Sequence, residues 1–182
     1  RHDAQRQHIL QSRVLAMDET PTPSGRRQKG QMQTTWFWPI HGLDDEICFT
    51  WSTSRGMAHV KEVLRDFSGV LLSDGYSVYA RYAGSRDGIT LAQCWVHTRR
   101  YFVRAARSDP AAARALALIG RLYRIEEQIR TQALDDQARR QYRLRHAKPV
   151  VDAFFAWCHE QRQRPDLVNS DPLAKALVYA EN

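Results

Sequence analysis

Two apolar runs in the sequence are each followed closely by an aspartate. In "SRVLAMDET" the run is followed by Asp18, and in "GVLLSDGY" it is followed by Asp74. Two carboxylates that lie close together repel each other unless one is protonated or a cation lies between them. Mg²⁺ is a suitable cation, because it binds carboxylate oxygens and keeps coordination positions for water and phosphate oxygens. If the fold brings the two acids together, the chemistry indicated is metal-dependent phosphoryl transfer.

Each aspartate also has a simpler interpretation as a turn residue. Asp18 can cap the turn that follows its strand, and Asp74 belongs to an Asp-Gly pair, which is common in turns. What favours the site is that both acids occur at the ends of strand-like runs. The order of the surrounding elements must then decide whether those ends meet.

The first half of the chain predicts the order βββαβαβα. Residues 13–53 indicate three strands, with "PTPSGRRQKG" as a loop between the first strand and the second, "QMQTTWFWPI". A helix in "MAHVKEVLRDF" then precedes the strand that ends at Asp74, and a further helix, strand and helix follow. A meander followed by a helix and a parallel fourth strand places the first and fourth strands side by side. Asp18 and Asp74 are therefore predicted to approach each other.

From Asp109 onward the sequence predicts helices only. Asp109 is a candidate N-cap with Pro110 at the first helical position, and Asp135 or Asp136 can cap a second long helix. "RPDLVNSDP" ends that helix, and Asp171 is the candidate cap of a last one. We expect a helical hairpin appended to the sheet.

Length and composition restrict the class of protein. The chain has 182 residues, of which 43% are hydrophobic, enough to form the core of an ordinary domain. No apolar run approaches the roughly 20 residues that cross a bilayer, and "RHDAQRQHIL" lacks the apolar core of a signal peptide. Three scattered cysteines argue against a disulfide framework, and the Cys94–His97 pair lacks a second pair that would complete a zinc site. A cytoplasmic protein with no membrane partner is expected.

The charge balance favours a polyanionic partner. Lys and Arg number 27 against 20 Asp and Glu, which gives a net charge of +7. Basic side chains concentrate in the "GRRQKG" loop and in the helix that begins near His97. We expect them to contact the DNA backbone without reading bases, although a solvated helix surface and a structural histidine are the alternatives. The predicted DNA-binding residues are Arg26, Arg27, Lys29, His97, Arg99, Arg100, Arg104 and Arg107.

Four segments resemble the central catalytic domain of the insertion sequence 66 family of bacterial transposases. They are "MDETP", "FSGVLLSDGYSVY", "CWVHTRRYF" and "LIGRLYRIE", in that order, within a resemblance that extends from about Val14 onward. The resemblance implies DDE chemistry on an α/β, ribonuclease H-like fold: a mixed five-stranded sheet flanked by helices, with an inserted helical hairpin. It also implies that Asp18 and Asp74 are the first two catalytic acids and bind Mg²⁺, for which Mn²⁺ can substitute.

The domain organisation implied by the resemblance has three parts. Residues 1–108 form the catalytic core, residues 109–165 form the hairpin insertion, and residues 166–182 begin a returning helix. In the family the catalytic glutamate follows in an Asn-Asn-x-x-Glu-Arg stretch, and this chain ends before one; Glu181 in "YAEN" does not match it. We therefore expect the chain as given to bind Mg²⁺ weakly and to cut DNA poorly or not at all.

The leading functional hypothesis is a DNA transposase catalytic domain that nicks transposon ends and joins them to target DNA. Its partners would be double-stranded DNA, further copies of the full-length protein and accessory proteins of the element. One alternative is a catalytically incomplete remnant that only binds DNA or self-associates. Another is a ribonuclease H-like nuclease or junction resolvase, which would cut without strand transfer.

Overall fold

The computed structural model of the chain describes residues 1–28 and 31–181, without the side chains of residues 26–28. Within these residues six strands form one mixed sheet: β1 (Val14–Met17), β2 (Thr20–Gln28), β3 (Gln31–His41), β4 (Ile47–Ser52), β5 (Gly69–Ser73) and β6 (Ile89–Gln93). The helices are α1 (His2–Ile9), α2 (Met57–Leu64), α3 (Ser77–Gly84), α4 (Trp95–Ala105), α5 (Ala112–Thr131), α6 (Asp136–Tyr142), α7 (Lys148–Arg162) and α8 (Pro172–Glu181), with a π-helical turn at Arg143–Ala147 before α7.

The chain divides into two compact units, Arg1–Cys94 and Trp95–Asn182. The first unit contains the whole sheet together with α1, α2 and α3. The second unit is helical and contains α4 to α8. None of the helices within residues 1–28 and 31–181 has the length and apolarity needed to cross a membrane.

The centre of the sheet is the parallel pair β1 and β5. On one side, β6 pairs with β5, also in parallel. On the other side, β3 runs antiparallel to β1 and also pairs with β2 and β4. Ile40 and His41 of β3 pair with β1 on one edge and with β4 on the other. Trp36 and Phe37 pair in the same way with β2 and β4. Since β4 occupies one edge of β3 throughout, β1 and β2 both lie along the opposite edge.

β1 and β2 follow one continuous register against β3. Met17 pairs with Ile40 and Thr20 pairs with Phe37, so the two residues between the strands, Asp18 and Glu19, span the gap without a shift. The main-chain N–H of Asp18 still donates to the Pro39 carbonyl, at 3.4 Å. The chain therefore passes through the two acids as an extended segment in the middle of the sheet.

The α/β class and the mixed sheet are confirmed, but the prediction of five strands is wrong. The segment "PTPSGRRQKG" was expected to be a loop, whereas residues as far as Gln28 belong to β2. Prolines at 21 and 23 are tolerated because β2 pairs, among the described strands, with β3 alone, and an edge strand needs only one row of hydrogen bonds. Gly25, at φ 60°, occupies the left-handed conformation where the register shifts.

Alternation along the central strands builds the core of the first unit. Leu15 and Met17 of β1 and Leu71 of β5 are buried against apolar side chains of α2 and α3. On a strand, neighbouring residues point to opposite faces, so every second residue contributes to this core. The other buried members are Ile9, Trp38, Ile40, Cys48, Val60, Val63, Leu64, Phe67, Val78, Tyr79 and Tyr82.

The second unit has its own core, centred on Phe102, Phe154 and Trp157. The predicted cap at Asp135 is confirmed, since its carboxylate accepts from the Ala138 N–H at 2.8 Å. Asp109 instead accepts from the N–H of Ala111, and α5 begins only at Ala112. The predicted N-cap there is wrong because the carboxylate closes a tight turn around Pro110 before the helix starts.

Candidate active site

The parallel register of β1 and β5 brings the two predicted aspartates together. Ala16 pairs with Leu72, and continuing this register by two residues sets Asp18 opposite Asp74. Asp18 directly follows the last residue of β1, and Asp74 directly follows the last residue of β5. Both therefore lie at the carboxyl edge of the parallel pair. Sheet edges of this kind are where α/β proteins form sites.

Main-chain N–H groups fix the direction of both carboxylates. Oδ1 of Asp18 accepts from the N–H of Glu19 at 2.8 Å, and Oδ1 of Asp74 accepts from the N–H of Tyr76 at 2.9 Å. Both aspartates are half-buried. These short-range bonds restrict the orientations of the two carboxylates.

A third carboxylate, Glu19, completes the acidic cluster. One carboxylate oxygen from each of Asp18, Glu19 and Asp74 lies within 4.8 Å of the other two. Alternation explains the different burial of the neighbours: Glu19 continues the core-facing series of Leu15 and Met17, and its side chain is fully buried. Three carboxylates at this separation repel one another, and a divalent cation relieves that repulsion.

Both oxygens of Glu19 already have partners in the protein. Oε1 accepts from Nε of Arg55 at 2.6 Å and from its Nη2, and Oε2 accepts from the Tyr79 hydroxyl at 2.6 Å. Burial raises the pKa of the Glu19 carboxyl, the hydrogen bonds from Tyr79 and Arg55 oppose that rise, and the nearby charge of Asp74 adds to it. With its oxygens committed in this way, Glu19 is less suited to bind a metal ion than the two aspartates.

The Glu19–Arg55–Tyr79 network was not foreseen from the sequence. One signal was present: Glu19 falls in the buried phase of a strand, and a buried carboxylate requires partners. The identity of those partners could not be found, because Arg55 and Tyr79 are 36 and 60 residues away along the chain. Only the packing of α3 and of the segment before α2 against the sheet brings them together.

The predicted DNA-binding residues divide between the two units. Lys29 lies outside the described residues, and the side chains of Arg26 and Arg27 on β2 are likewise undescribed. The remaining residues all lie in the second unit, on α4 or just after it: His97 is half-buried, and the exposed side chains are those of Arg99, Arg100, Arg104 and Arg107. Their role in binding DNA stays a prediction.

Glu181, the acid nearest the end of the chain, lies in the second unit. It is the last residue of α8, and its Oε2 accepts from Nη1 of Arg162 at 2.8 Å. This ion pair gives Glu181 a structural partner.

Comparison with known proteins shows what the chain is similar to. A family profile described as "Transposase IS66 family" matches residues 2–182. The chain is 28% identical over 186 aligned residues to "Uncharacterized protein y4qI" and 31% identical over 185 to "Uncharacterized protein y4jD", both from Sinorhizobium fredii (strain NBRC 101917 / NGR234). The alignments cover 92% and 93% of this chain but 33% and 35% of the relatives. The chain therefore spans about a third of the length of these proteins.

Proposed function

Because this chain belongs to the transposase IS66 family, we propose that it is a DNA-processing domain of an insertion-sequence transposase in which Asp18 and Asp74 bind a divalent metal ion. Membership of the family supports a role for the chain in transposition. The observation that carries the metal-binding proposal is the convergence of the two aspartates on the ends of adjacent parallel strands, with ligand oxygens within 4.8 Å.

The residues present fit a hard divalent cation. The cluster offers carboxylate oxygens, which are preferred by Mg²⁺ and accepted by Mn²⁺. Asp18 and Asp74 would hold the ion, since both oxygens of Glu19 are occupied by Arg55 and Tyr79. A bound Mg²⁺ supplies Lewis-acid activation of a phosphodiester and neutralises charge that develops in the reaction. The protein's own contribution is to fix the two ligands through the N–H groups of Glu19 and Tyr76.

The strand order supports a ribonuclease H-like core. β1 lies at the centre, β3 and β4 follow it as an antiparallel meander, and β5 and β6 extend the sheet in parallel on the other side. We place the first two acids of a DDE site on this core, and we interpret residues 109–165 as the family's helical insertion. In this proposal a third acid completes the site, and Glu181 is not that acid, because it is paired with Arg162.

DNA is the proposed substrate. Phosphoryl transfer at the acidic cluster would cut the phosphodiester at transposon ends and join the freed end to target DNA. The exposed arginines of the second unit, among them Arg100 and Arg104, would neutralise backbone phosphates while leaving the bases unread.

The metal site is tested by titrating the chain with Mn²⁺ and following free Mn²⁺ by electron paramagnetic resonance. Asp18→Asn and Asp74→Asn should each weaken Mn²⁺ binding by about tenfold or more, since each removes a charged ligand from a site with few protein ligands. Asp87→Asn is the matched control, because Asp87 is an exposed carboxylate of the same unit outside the cluster. Equal affinities in all four proteins would refute the metal site.

Activity is tested separately with labelled transposon ends and a target plasmid in the presence of Mg²⁺. Joined products that disappear in Asp74→Asn would support a transposase, while cut but unjoined products would indicate a nuclease or resolvase. Binding without either product would favour the alternative of a catalytically incomplete transposase remnant that only binds DNA.

A further inference from the structure

The side chain of Arg55 lies at the boundary between the buried network and the surface. It belongs to the segment between β4 and α2, and 37% of its side chain is exposed, whereas its partner Glu19 has none exposed. Nε and Nη2 both donate to Oε1 of Glu19. One edge of the guanidinium is therefore anchored inside the protein.

Aromatic rings and a main-chain bond hold the rest of Arg55. Its guanidinium carbon lies 3.8 Å from the centre of the Tyr76 ring and 5.1 Å from that of Trp36. The Tyr76 hydroxyl donates to the carbonyl of Arg55 at 2.8 Å, and the Tyr76 N–H donates to Asp74. Stacking of this kind restricts the guanidinium to one plane. Tyr76 thus connects the orientation of Arg55 to the position of an acid of the cluster.

The opposite edge of the guanidinium keeps its donors. Within residues 1–28 and 31–181, Nη1 of Arg55 has no hydrogen-bond acceptor, although a guanidinium carries five N–H groups in a fixed plane. An arginine with one edge anchored, its face stacked and more than a third of its side chain exposed is preorganised for a phosphate, because little side-chain entropy remains to be lost on binding. A purely structural ion pair with Glu19 would not require this exposure.

We propose that Arg55 binds a phosphate of the DNA backbone next to Asp18 and Asp74 through its Nη1 edge, and that Glu19 is the positioning residue that orients it. This inference rests on the proposed function for the identity of the substrate. It gives the site a cation supplied by the protein beside its acids. It also explains why a fully buried glutamate occurs next to Asp18: Glu19 holds the phosphate-binding group, and the aspartates hold the metal.

The experiment measures binding of a short DNA duplex to the 182-residue chain by fluorescence anisotropy, in EDTA, at a series of salt concentrations. Loss of one phosphate contact reduces the slope of log affinity against log salt by about one and weakens binding about tenfold at low salt. Arg55→Gln should show both effects. Arg86→Gln is the matched control, because Arg86 has the same 37% side-chain exposure and also lies against a tyrosine, Tyr82, but pairs with Asp66. It should leave the slope unchanged.

Arg55→Gln leaves the charge of Glu19 buried without its cation, which can cause misfolding. A second variant controls for this effect. In the double variant Glu19→Gln/Arg55→Gln both charges are removed, and its fold is checked by circular dichroism. A slope reduced by about one in the double variant supports the proposal; a slope equal to that of the parent chain overturns it. Because these measurements contain no metal, a failed Mn²⁺ titration would count against the metal site and leave the Arg55 result standing.

Discussion

At the scale of single residues, the site depends on how a buried carboxylate is satisfied. Burial lowers the pKa of Arg55, but the hydrogen bond and charge of Glu19 outweigh this and raise it. For Tyr79, burial raises the pKa of the hydroxyl, and the charge of Glu19 raises it further. The Tyr79 hydroxyl therefore remains protonated and can donate. Two donors at Oε1 and one at Oε2 are the partners expected of an ionised carboxylate.

Removing the Tyr79 hydroxyl should therefore destabilise the first unit. Tyr79→Phe keeps the buried ring but leaves Oε2 of Glu19 without its donor, and an unsatisfied buried acceptor costs about 1–3 kcal/mol. The free energy of unfolding in urea measures this cost.

Tyr82→Phe is the control for that measurement. The Tyr82 ring is equally buried, but its hydroxyl makes a long 3.3 Å bond to the Arg65 carbonyl and accepts from Arg86, which is partly exposed. We expect a loss below about 1 kcal/mol there. Equal losses in the two variants would show that the Tyr79–Glu19 hydrogen bond contributes no more to stability than the hydrogen bonds of Tyr82.

At the scale of elements, the close approach of β1 and β5 decides where the aspartates lie. Gly69, the first residue of β5, has a φ of 146°, and a Cβ built there would lie 2.5 Å from the carbonyl oxygen of Arg13. The same carbonyl accepts from the Val70 N–H at 2.9 Å, where the parallel pairing begins. A side chain at position 69 would force the two strands apart at their start.

Gly69→Ala should accordingly destabilise the first unit by about 1–3 kcal/mol, the usual cost of a strained backbone position. It should also weaken Mn²⁺ binding, because the strands that carry Asp18 and Asp74 would be displaced. Gly84→Ala is the matched control, since a Cβ there meets no atom of the described residues within 4 Å and no positive φ is required. If both variants bind Mn²⁺ like the parent chain, the spacing of these strands does not control the site.

At the scale of the whole molecule, the positive charge is concentrated in the second unit. Residues 95–182 contain 16 Lys and Arg against 10 Asp and Glu, a balance of +6, whereas residues 1–94 contain 11 against 10, a balance of +1. The sheet unit holds the acidic cluster, and the helical unit holds most of the charge able to attract a polyanion. In the proposed function, the first unit would supply the metal-binding acids and the second unit most of the positive charge that attracts DNA.

Replacing Arg100 and Arg104 together by Gln should lower the salt slope of DNA binding by about two and weaken binding equally for unrelated duplexes. The matched control is Arg143→Gln/Arg162→Gln, which removes the same charge from the same unit. Those arginines are already paired with Glu126 and Glu181. Anisotropy with two duplexes of different sequence measures the outcome, and a slope that falls equally in both double variants would show that total charge alone controls binding.

Much of the sheet could be predicted from the sequence, because the patterns that indicate strands and helices are local. Short apolar runs identified β1 and β5, and helical spacing identified α2, each close to its observed position. It failed at β2, where two prolines and a glycine indicate a loop unless the segment is known to lie at an edge of the sheet. Edge position is a property of the assembled sheet, so no local pattern can reveal it.

By itself the sequence determined that two aspartates end neighbouring parallel strands, since strand polarity and chain order suffice for that conclusion. Only the tertiary structure decided that Glu19 joins them and that Arg55 and Tyr79 bind it, because these contacts link segments 36 and 60 residues apart. An acidic residue at a core-facing position of a strand indicates, from the sequence alone, that a buried charge needs partners. The identity of the partner side chains depends on how the helices pack on the sheet, and this packing depends on the complete fold.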